Sequence, residues 1–229
     1  MTRITLDDPR CEVRLVRSPR ARRFTLRLES AGARAVLTMP PSIPDSETRL
    51  FLTRHAEWLR AALARQPDAV MVGAGTVLPV GGQPVRVEIR PGPRRPPALQ
   101  DGVLVLGGAG AEGPRIAAWL KLRARDALLP AARGYARRLG REIAAISLRD
   151  TRSRWGSCSS AGRLSFSWRL AMAPPEVLDY VAAHEAAHLV EMNHSARYWA
   201  VLAGLMPDYK TRRDWLRREG RKLHAYRFD

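Results

Sequence analysis

Residues 181–199 read VAAHEAAHLVEMNHSARYW, and three of the five histidines of the chain fall within eleven of these positions. On a helix, residues four apart lie one turn apart on the same face, so His184 and His188 can present both imidazoles to one metal ion. Glu185 points about 100° around the helix from His184, which makes it a poor ligand but leaves it within reach of a water on the metal. The pattern His-Glu-x-x-His therefore predicts two metal ligands and a catalytic carboxylate.

A third ligand follows six residues later. A catalytic zinc uses three protein ligands and keeps its fourth position for water. An uninterrupted helix would carry His194 about 9 Å beyond His188 along the axis, so the chain must turn between them. Asn193 is the non-glycine residue type best suited to a left-handed helix ending, and Ser195 can cap the next helix. We therefore predict one Zn²⁺ per chain, with the ligands His184, His188 and His194.

Two other interpretations of this stretch compete with a catalytic zinc. The histidines could be ordinary buried or solvated residues of a helix, or they could hold a structural zinc. Glu185 argues against a structural site, because such a site would not need a carboxylate beside the metal. Structural zinc prefers four closed ligands, often thiolates.

The segments around the histidines are mostly helical. Pro174 and Pro175 predict the start of a helix that runs to about residue 192, since proline in the first turn loses no hydrogen bond. Short helices should follow Ser195 and Pro207. Apolar spacing predicts a helix from about residue 115, which Pro130 should kink or divide. Between these helices, residues 145–173 predict two strands around the turn SSAGR.

The first half of the chain is rich in strand-like segments. Alternating polarity predicts a small antiparallel sheet from residues 11–18, 22–30 and 33–40, with a turn at 30–32. A helix is expected over about residues 45–65, with His55 on its surface. Further strands are expected at 76–82, 84–90 and 102–108, with residues 91–98 (PGPRRPPA) as a loop and a boundary near 107–114. The sequence shows no internal repeat, and the fold class is predicted to be α+β.

Composition adds a strong positive charge. The 39 basic and 22 acidic residues give a net charge of +17, which attracts nucleic acid or acidic membranes, although scattered surface arginines give the same total. The C-terminal basic patch is a candidate nucleic-acid contact: Arg212, Arg213, Arg217, Arg218, Arg221 and Lys222. Two cysteines do not make a disulfide framework, and no segment is apolar enough for a signal or a membrane span. We expect a cytoplasmic protein without membrane contact; the oligomeric state stays unassigned.

Three stretches together resemble a known family: RSRWGSCSSAGRLSFSWRL, then APPEVLDYVAAHEAAHLVEMNHSARYW, then MPDY. The chain resembles the YgjP-like family of predicted zinc metallopeptidases, which are distant relatives of the SprT/Spartan and Wss1-type proteases. The likeness is close over residues 130–228 and looser before them. It implies a gluzincin-type, zincin-like helical core with a small antiparallel sheet over 111–229, preceded by a β-rich region with one helix over 1–110. The family's ligand positions fall on the three histidines and its catalytic glutamate on Glu185.

The cleft of such a protease needs further groups. Arg154, Tyr198 and Tyr209 are candidates to stabilise the oxyanion or contact substrate. The strand RWGSCS could border the cleft and pair with extended substrate, or Trp155 could simply pack in the core. Cys158 is either a small buried residue or a thiol near the open position of the zinc.

The sequence therefore predicts a zinc-dependent metallopeptidase that hydrolyses peptide bonds of a peptide or protein substrate. Two alternatives remain open at this point. One is a nucleic-acid-associated binding protein with a structural zinc, and the other is a zinc hydrolase that acts on a non-peptide amide.

Overall fold

The polypeptide separates into two units, Met1–Ala69 and Val70–Asp229, each with its own apolar core. The computed structural model describes residues 3–28, 34–64 and 68–229, so the predicted turn at 30–32 and the predicted helix end at 65 lie outside it. The sequence placed a boundary near residue 110. The unit boundary instead follows Ala69, because strand residues such as Leu78 and Leu104 are buried in one core with the C-terminal helices.

The N-terminal unit is a four-stranded sheet covered by two short helices. Its strands are β1 (Arg3–Leu6), β2 (Cys11–Arg17), β3 (Thr25–Leu28) and β4 (Arg34–Met39). Their order is β1-β2-β4-β3, and the central pair β2 and β4 is parallel, so the sheet is mixed rather than antiparallel as predicted. Alternate residues of β2 are buried, which is the pattern of a strand with one face on the core.

The helix expected over residues 45–65 is two helices, α1 (Asp45–Arg54) and α2 (Ala56–Ala64). The break falls at His55, whose φ of −103° and ψ of 11° leave the helical region. Its ring Nδ1 lies 2.8 Å from the carbonyl oxygen of Phe51, so the side chain shares an acceptor that the helix backbone also uses. Leu52 and Leu59 carry both helices onto the core of this unit.

The C-terminal unit begins with a sheet of the same topology. After β5 (Val70–Met71) come β6 (Val77–Val80), β7 (Gln83–Arg90), β8 (Arg95–Gln100) and β9 (Val103–Gly107). Their order, β6-β7-β9-β8, has a parallel central pair and antiparallel outer strands, as in the N-terminal unit. The two sheets therefore form a topological repeat that residue identity did not reveal.

Strand β8 corrects part of the prediction of a loop over residues 91–98: residues 91–94 lie outside any strand, as predicted, whereas Arg95 begins β8. Proline cannot donate to a strand ladder and is tolerated at sheet edges and bulges. Strand β8 is an edge strand, and its register shifts between Arg95 and Ala98, where Pro96 and Pro97 lie. The two prolines therefore cost the sheet little, and the segment pairs with β9.

A long helix and a second small sheet support the histidine segment. Helix α3 (Glu112–Arg138) runs unbroken through Pro130, since the flanking Leu128 and Ala132 are both fully buried in the core. The expected hairpin around the turn SSAGR is present as the antiparallel pair β11 (Gly156–Cys158) and β12 (Arg163–Ser167). The additional strand β10 (Ala145–Arg149) makes it a three-stranded mixed sheet in the order β10-β12-β11. Strand β10 pairs parallel to β12 and β11 pairs antiparallel to it, which makes β11 an edge strand.

The remaining helices surround the histidines: α4 (Pro175–Ala187), α5 (Ala196–Leu205) and α6 (Tyr209–Glu219), followed by β13 (Tyr226–Arg227), which pairs with β5. The two-residue turn Gly81-Gly82 positions the start of α4. Both glycines have positive φ, as a tight hairpin turn requires, and their N–H groups donate to the carbonyls of Ala171 and Met172. Among the described helices, none is long and apolar enough to span a bilayer.

Candidate metal centre

Helix α4 ends earlier than the sequence predicts, and this ending creates the site. The helix stops at Ala187, and His188 takes the C-cap position with φ of −67° and ψ of −15°. Bonds from Leu189 to Ala186 and from Val190 to Ala187 tighten the chain into a turn of three-residue spacing. The predicted left-handed ending at Asn193 is wrong, because Asn193 is not among the residues of positive φ. The tight turn has already redirected the chain before Asn193 is reached.

This turn brings the three predicted ligand histidines together. Ligand nitrogens of His184, His188 and His194 all lie within 4.8 Å of one another. The Nε2 atoms of His184 and His194 are 3.2 Å apart. Two nitrogens bound to a tetrahedral zinc at about 2.0–2.1 Å would be separated by about 3.3 Å. The donor set and its spacing therefore fit a tetrahedral metal ion.

Neighbouring polar groups orient two of the imidazoles. The Nδ1 atom of His188 lies 3.0 Å from the carbonyl oxygen of Glu191. A carbonyl only accepts, so Nδ1 carries the proton and Nε2 keeps a lone pair for a metal. The hydroxyl of Tyr180 lies 3.4 Å from Nδ1 of His184, which leaves Nε2 of that ring facing the cluster. The carbonyl partner holds His188 in the tautomer that a metal ligand needs, and both rings turn Nε2 or its lone pair toward the cluster.

Helix α5 supports the cluster from the other side. Ser195 accepts a bond from the Tyr198 amide, which confirms its predicted role as the N-cap. Tyr198 is fully buried; its ring stacks on His188 at 4.5 Å, and its hydroxyl donates to the carbonyl of His184 at 3.0 Å. The indole N–H of Trp199 donates to the carbonyl of His194 at 3.1 Å. Each histidine is therefore anchored by an aromatic residue of α5.

Burial keeps the inner histidines uncharged. Desolvation, together with the neighbouring His188 and His194, lowers the pKa of His184 to about 3. Desolvation also lowers the pKa of His188. Neutral imidazole is the form that binds a metal, so these two rings are ready to act as ligands near neutral pH.

Glu185 lies beside the cluster and is only 4% exposed. Burial raises the pKa of its carboxyl to about 8, and the positive charge of Arg154 opposes that rise. Gly156 on strand β11 packs directly on this carboxyl: a methyl group there would lie 2.4 Å from Oε1 of Glu185. A side chain at 156 would therefore displace the carboxylate.

A cavity of about 420 Å³ opens onto the histidines and Glu185. Its other walls are the segment 154–158, which contains β11, and residues Tyr180, Val181, Met192 and Leu216. Cys158 is half-buried in this wall, and desolvation together with Glu185 raises the pKa of its thiol to about 11. Its Sγ donates to the carbonyl of Ser159 at 3.4 Å, and it is not part of the three-histidine group.

The profile of the YgjP-like family, metallopeptidase domain, matches residues 22–219. The chain belongs to the YgjP-like family. Comparison with curated proteins and with solved structures found no significant match. This YgjP-like protein is thus a metallopeptidase-family chain whose three-histidine group could hold a metal ion.

Of the three candidate oxyanion residues of this YgjP-like chain, one lines the metal cavity and two do not. Arg154 lines the metal cavity and is exposed. Tyr198 and Tyr209 lie outside the cavity lining: the hydroxyl of Tyr198 is bonded to the backbone of His184, and the ring of Tyr209 stacks on Trp199 at 5.5 Å. Tyr180, one turn before His184, does line the cavity. Its spacing of four from His184 is a signal that sequence reasoning missed.

The residues of the C-terminal basic patch also have different surroundings. Arg212 bonds Asp208, and Lys222 forms an ion pair with Glu219 at 2.6 Å. Arg213, Arg217 and Arg221 instead line a cavity next to the metal cavity, whereas Arg218 does not.

Replacing Trp199 with Phe tests whether α5 positions the third histidine. The Phe ring keeps most of the packing but removes the N–H that holds the carbonyl of His194. We expect metal affinity to fall by roughly 10-fold, as for other outer contacts of metal ligands. A competition titration with a metal indicator measures this. Trp58→Phe, on an exposed tryptophan of the N-terminal unit, is the control; equal metal affinity in both variants would contradict the role of Trp199.

Proposed function

We propose that this YgjP-like protein is a zinc-dependent metallopeptidase in which Glu185 is the general base. The observation that carries the proposal is one cavity that holds three converging imidazoles, a buried carboxyl and an edge strand. Zinc is favoured by three imidazole nitrogens, two of them 3.2 Å apart as in a tetrahedral site, an arrangement that leaves one position open. A zinc bound there would polarise the scissile carbonyl and lower the pKa of water toward about 7.

Glu185 moves the proton in this proposal. Its carboxylate accepts a proton from the attacking water as the water oxygen bonds to the carbonyl carbon, and returns that proton to the amine nitrogen as the C–N bond breaks. Burial alone would keep the carboxyl protonated near neutral pH. The cation Arg154 favours its ionised form, and a metal ion at the histidines would do the same. Tyr180 lines the same cavity, and its hydroxyl is a candidate donor to the developing oxyanion, along with Arg154.

Strand β11 supports a peptide substrate rather than a small amide. It pairs with β12 on one side only, within the described part of the chain, and its residues Gly156–Cys158 line the cavity. An extended peptide can add to such an edge through main-chain hydrogen bonds. That arrangement would lay a peptide bond across the histidines and Glu185.

Metal content with and without His194→Ala, beside a peptide-library assay, tests the proposal. We expect about one zinc per wild-type chain, and an affinity weakened more than about 100-fold in the variant, because a lost ligand costs more than a lost outer contact. His55→Ala, a histidine outside the cluster, should bind zinc as wild type does. Mass spectrometry of the library should find cleavage that a chelator removes. Zinc binding without any peptide cleavage, or cleavage unaffected by chelation, would contradict the proposal.

A further inference from the structure

A second cavity, of about 470 Å³, adjoins the metal cavity and shares three wall residues with it, Arg154, Trp155 and Leu216. Its remaining wall is mostly basic. That wall consists of Arg152, Ser153, Arg213, Arg217, Arg221 and His224. We call this space the arginine cavity. An occupant of the arginine cavity would be close enough to belong to the same molecule as a group at the histidines.

The five arginines converge on this cavity from two segments. Arg152 and Arg154 lie in the loop that leads into β11. Arg213, Arg217 and Arg221 follow one another at intervals of four, from α6 into the helical turn Gly220–His224, so they lie on one face. Two aromatic rings orient the Arg213 side chain. Its guanidinium lies 5.2 Å from the ring centroid of Trp199 and 5.8 Å from the ring centroid of Tyr209.

Little of this positive charge is paired with a carboxylate at contact distance. Within residues 3–28, 34–64 and 68–229, Arg152, Arg154 and Arg221 have no carboxylate within ion-pair distance. Asp214 lies 3.9 Å from both Arg213 Nε and Arg217 Nη1, which is a weak contact. The carboxyls of Glu185 and Asp229 interact with Arg154 and Arg152 from beyond ion-pair distance.

Two polar atoms of the wall are also unused. The Nε atom of Arg213 and the Nδ1 atom of His224 are buried and have no hydrogen-bond partner among the described residues. By contrast, the buried Arg169 is fully used: it bonds both carboxylate oxygens of Asp150 and the carbonyls of Leu223 and Tyr226. Buried polar groups normally have partners. These two atoms are closed to solvent, so an anion in the arginine cavity would meet the exposed guanidinium groups of Arg152, Arg154, Arg217 and Arg221.

The direction of β11 decides where a substrate would meet this cavity. A peptide that adds antiparallel to β11 runs opposite to it, so its C-terminal part passes the N-terminal end of the strand. That end is Gly156, and residues 152–155 precede it. For a peptide in this antiparallel direction, the arginine cavity lies on the C-terminal side of the scissile bond.

We propose that the arginine cavity binds a carboxylate of the substrate on the C-terminal side of the scissile bond. The proposal rests on the proposed peptidase function. Guanidinium groups match the two oxygens of a carboxylate, and several of them suit one acidic side chain or a chain terminus. A nucleic acid would instead need cations spread along its backbone, whereas these arginines gather around one open pocket that Trp155 and Leu216 also line.

Peptide pairs that differ by one charge test the proposal. Each pair carries Glu or Gln at one of three positions after the scissile bond, and each peptide has a free or an amidated C-terminus. Fluorescence anisotropy on zinc-loaded Glu185→Gln protein gives Kd, and turnover by wild type gives kcat/KM. We expect the acidic member to bind roughly 10-fold tighter, as a charge-assisted contact would provide. Loss of the preference on C-terminal amidation alone would identify the chain terminus as the carboxylate.

Variants of α6 assign the preference to the arginine cavity. Arg217→Ala with Arg221→Ala should abolish the preference, whereas Arg218→Ala, an exposed arginine of the same helix outside the cavity, should keep it. Arg217→Glu should reverse the preference toward a peptide with Lys in place of Glu. The variants change exposed side chains, so circular dichroism should match wild type.

The outcomes separate this proposal from the proposed function. Equal Kd for Glu and Gln peptides overturns it, even if both are cleaved. Arginine-dependent binding of acidic peptides supports it, even if nothing is cleaved. Arg217-dependent binding of a single-stranded oligonucleotide, with no preference for acidic peptides, overturns it in favour of a nucleic-acid site.

Discussion

Glu185→Gln is expected to abolish peptide cleavage while zinc stays bound. Gln keeps the shape of the side chain but cannot take a proton from water, and general-base catalysis contributes about 10²–10⁴ to a rate. We expect kcat to fall about 1,000-fold with little change in KM, measured on a peptide from the library. Since Glu185 is almost fully buried and its pKa is raised, a neutral amide should be tolerated without loss of stability.

Glu176→Gln is the matched control. It makes the same chemical change on the same helix, at an exposed position in the first turn of α4, and should leave kcat unchanged. Zinc content and thermal melting should match wild type in both variants. A Glu185→Gln protein that cleaves as fast as wild type would contradict the general-base role. If the variant has lost its zinc, the fall in kcat would reflect loss of the metal rather than of the base.

Gly156→Ala should inactivate the protein through a single methyl group. That methyl would lie 2.4 Å from Oε1 and 2.7 Å from the carboxyl carbon of Glu185, so the carboxylate or β11 must move. The φ of Gly156 is not in the left-handed region, so alanine strains no backbone there. We expect kcat to fall roughly 100-fold, as for a misplacement of about 1 Å in a catalytic group. Zinc content should remain at about one per chain, because the histidines are untouched.

Two further variants identify the clash as the cause. Gly134→Ala, where a methyl group meets no atom within 4 Å, should leave kcat unchanged. Glu185→Asp shortens the side chain and should cost activity in the wild-type background but little more in the Gly156→Ala background, because the two changes share one contact. Full activity of Gly156→Ala would show that the carboxylate does not depend on this contact.

Local rules were enough to predict that the three histidines converge. The spacing of His184 and His188, the need for a turn before His194 and the Ser195 cap all follow from helix geometry within one short stretch. The three histidines meet as that reasoning requires. The α+β class also followed from the alternation of strand-like and helical patterns.

What the sequence missed depends on contacts between distant residues. Gly156 is 29 positions from Glu185, and nothing local marks it as the residue that faces the carboxyl. Strand β8 was hidden by its prolines, which only an edge position with a shifted register tolerates. The parallel pairing of β10 with β12 was missed because parallel strands have no turn signal between them.

The third histidine differs from the other two in a way that ties metal occupancy to local opening of the chain. His184 and His188 belong to the packed end of α4, whereas His194 is exposed on the segment that leads into α5. A metal bound by the three histidines would therefore link the end of α4 to the segment that precedes α5. Its binding free energy would add to that of the contacts which already hold this segment, so opening of residues 188–195 would be coupled to release of the metal.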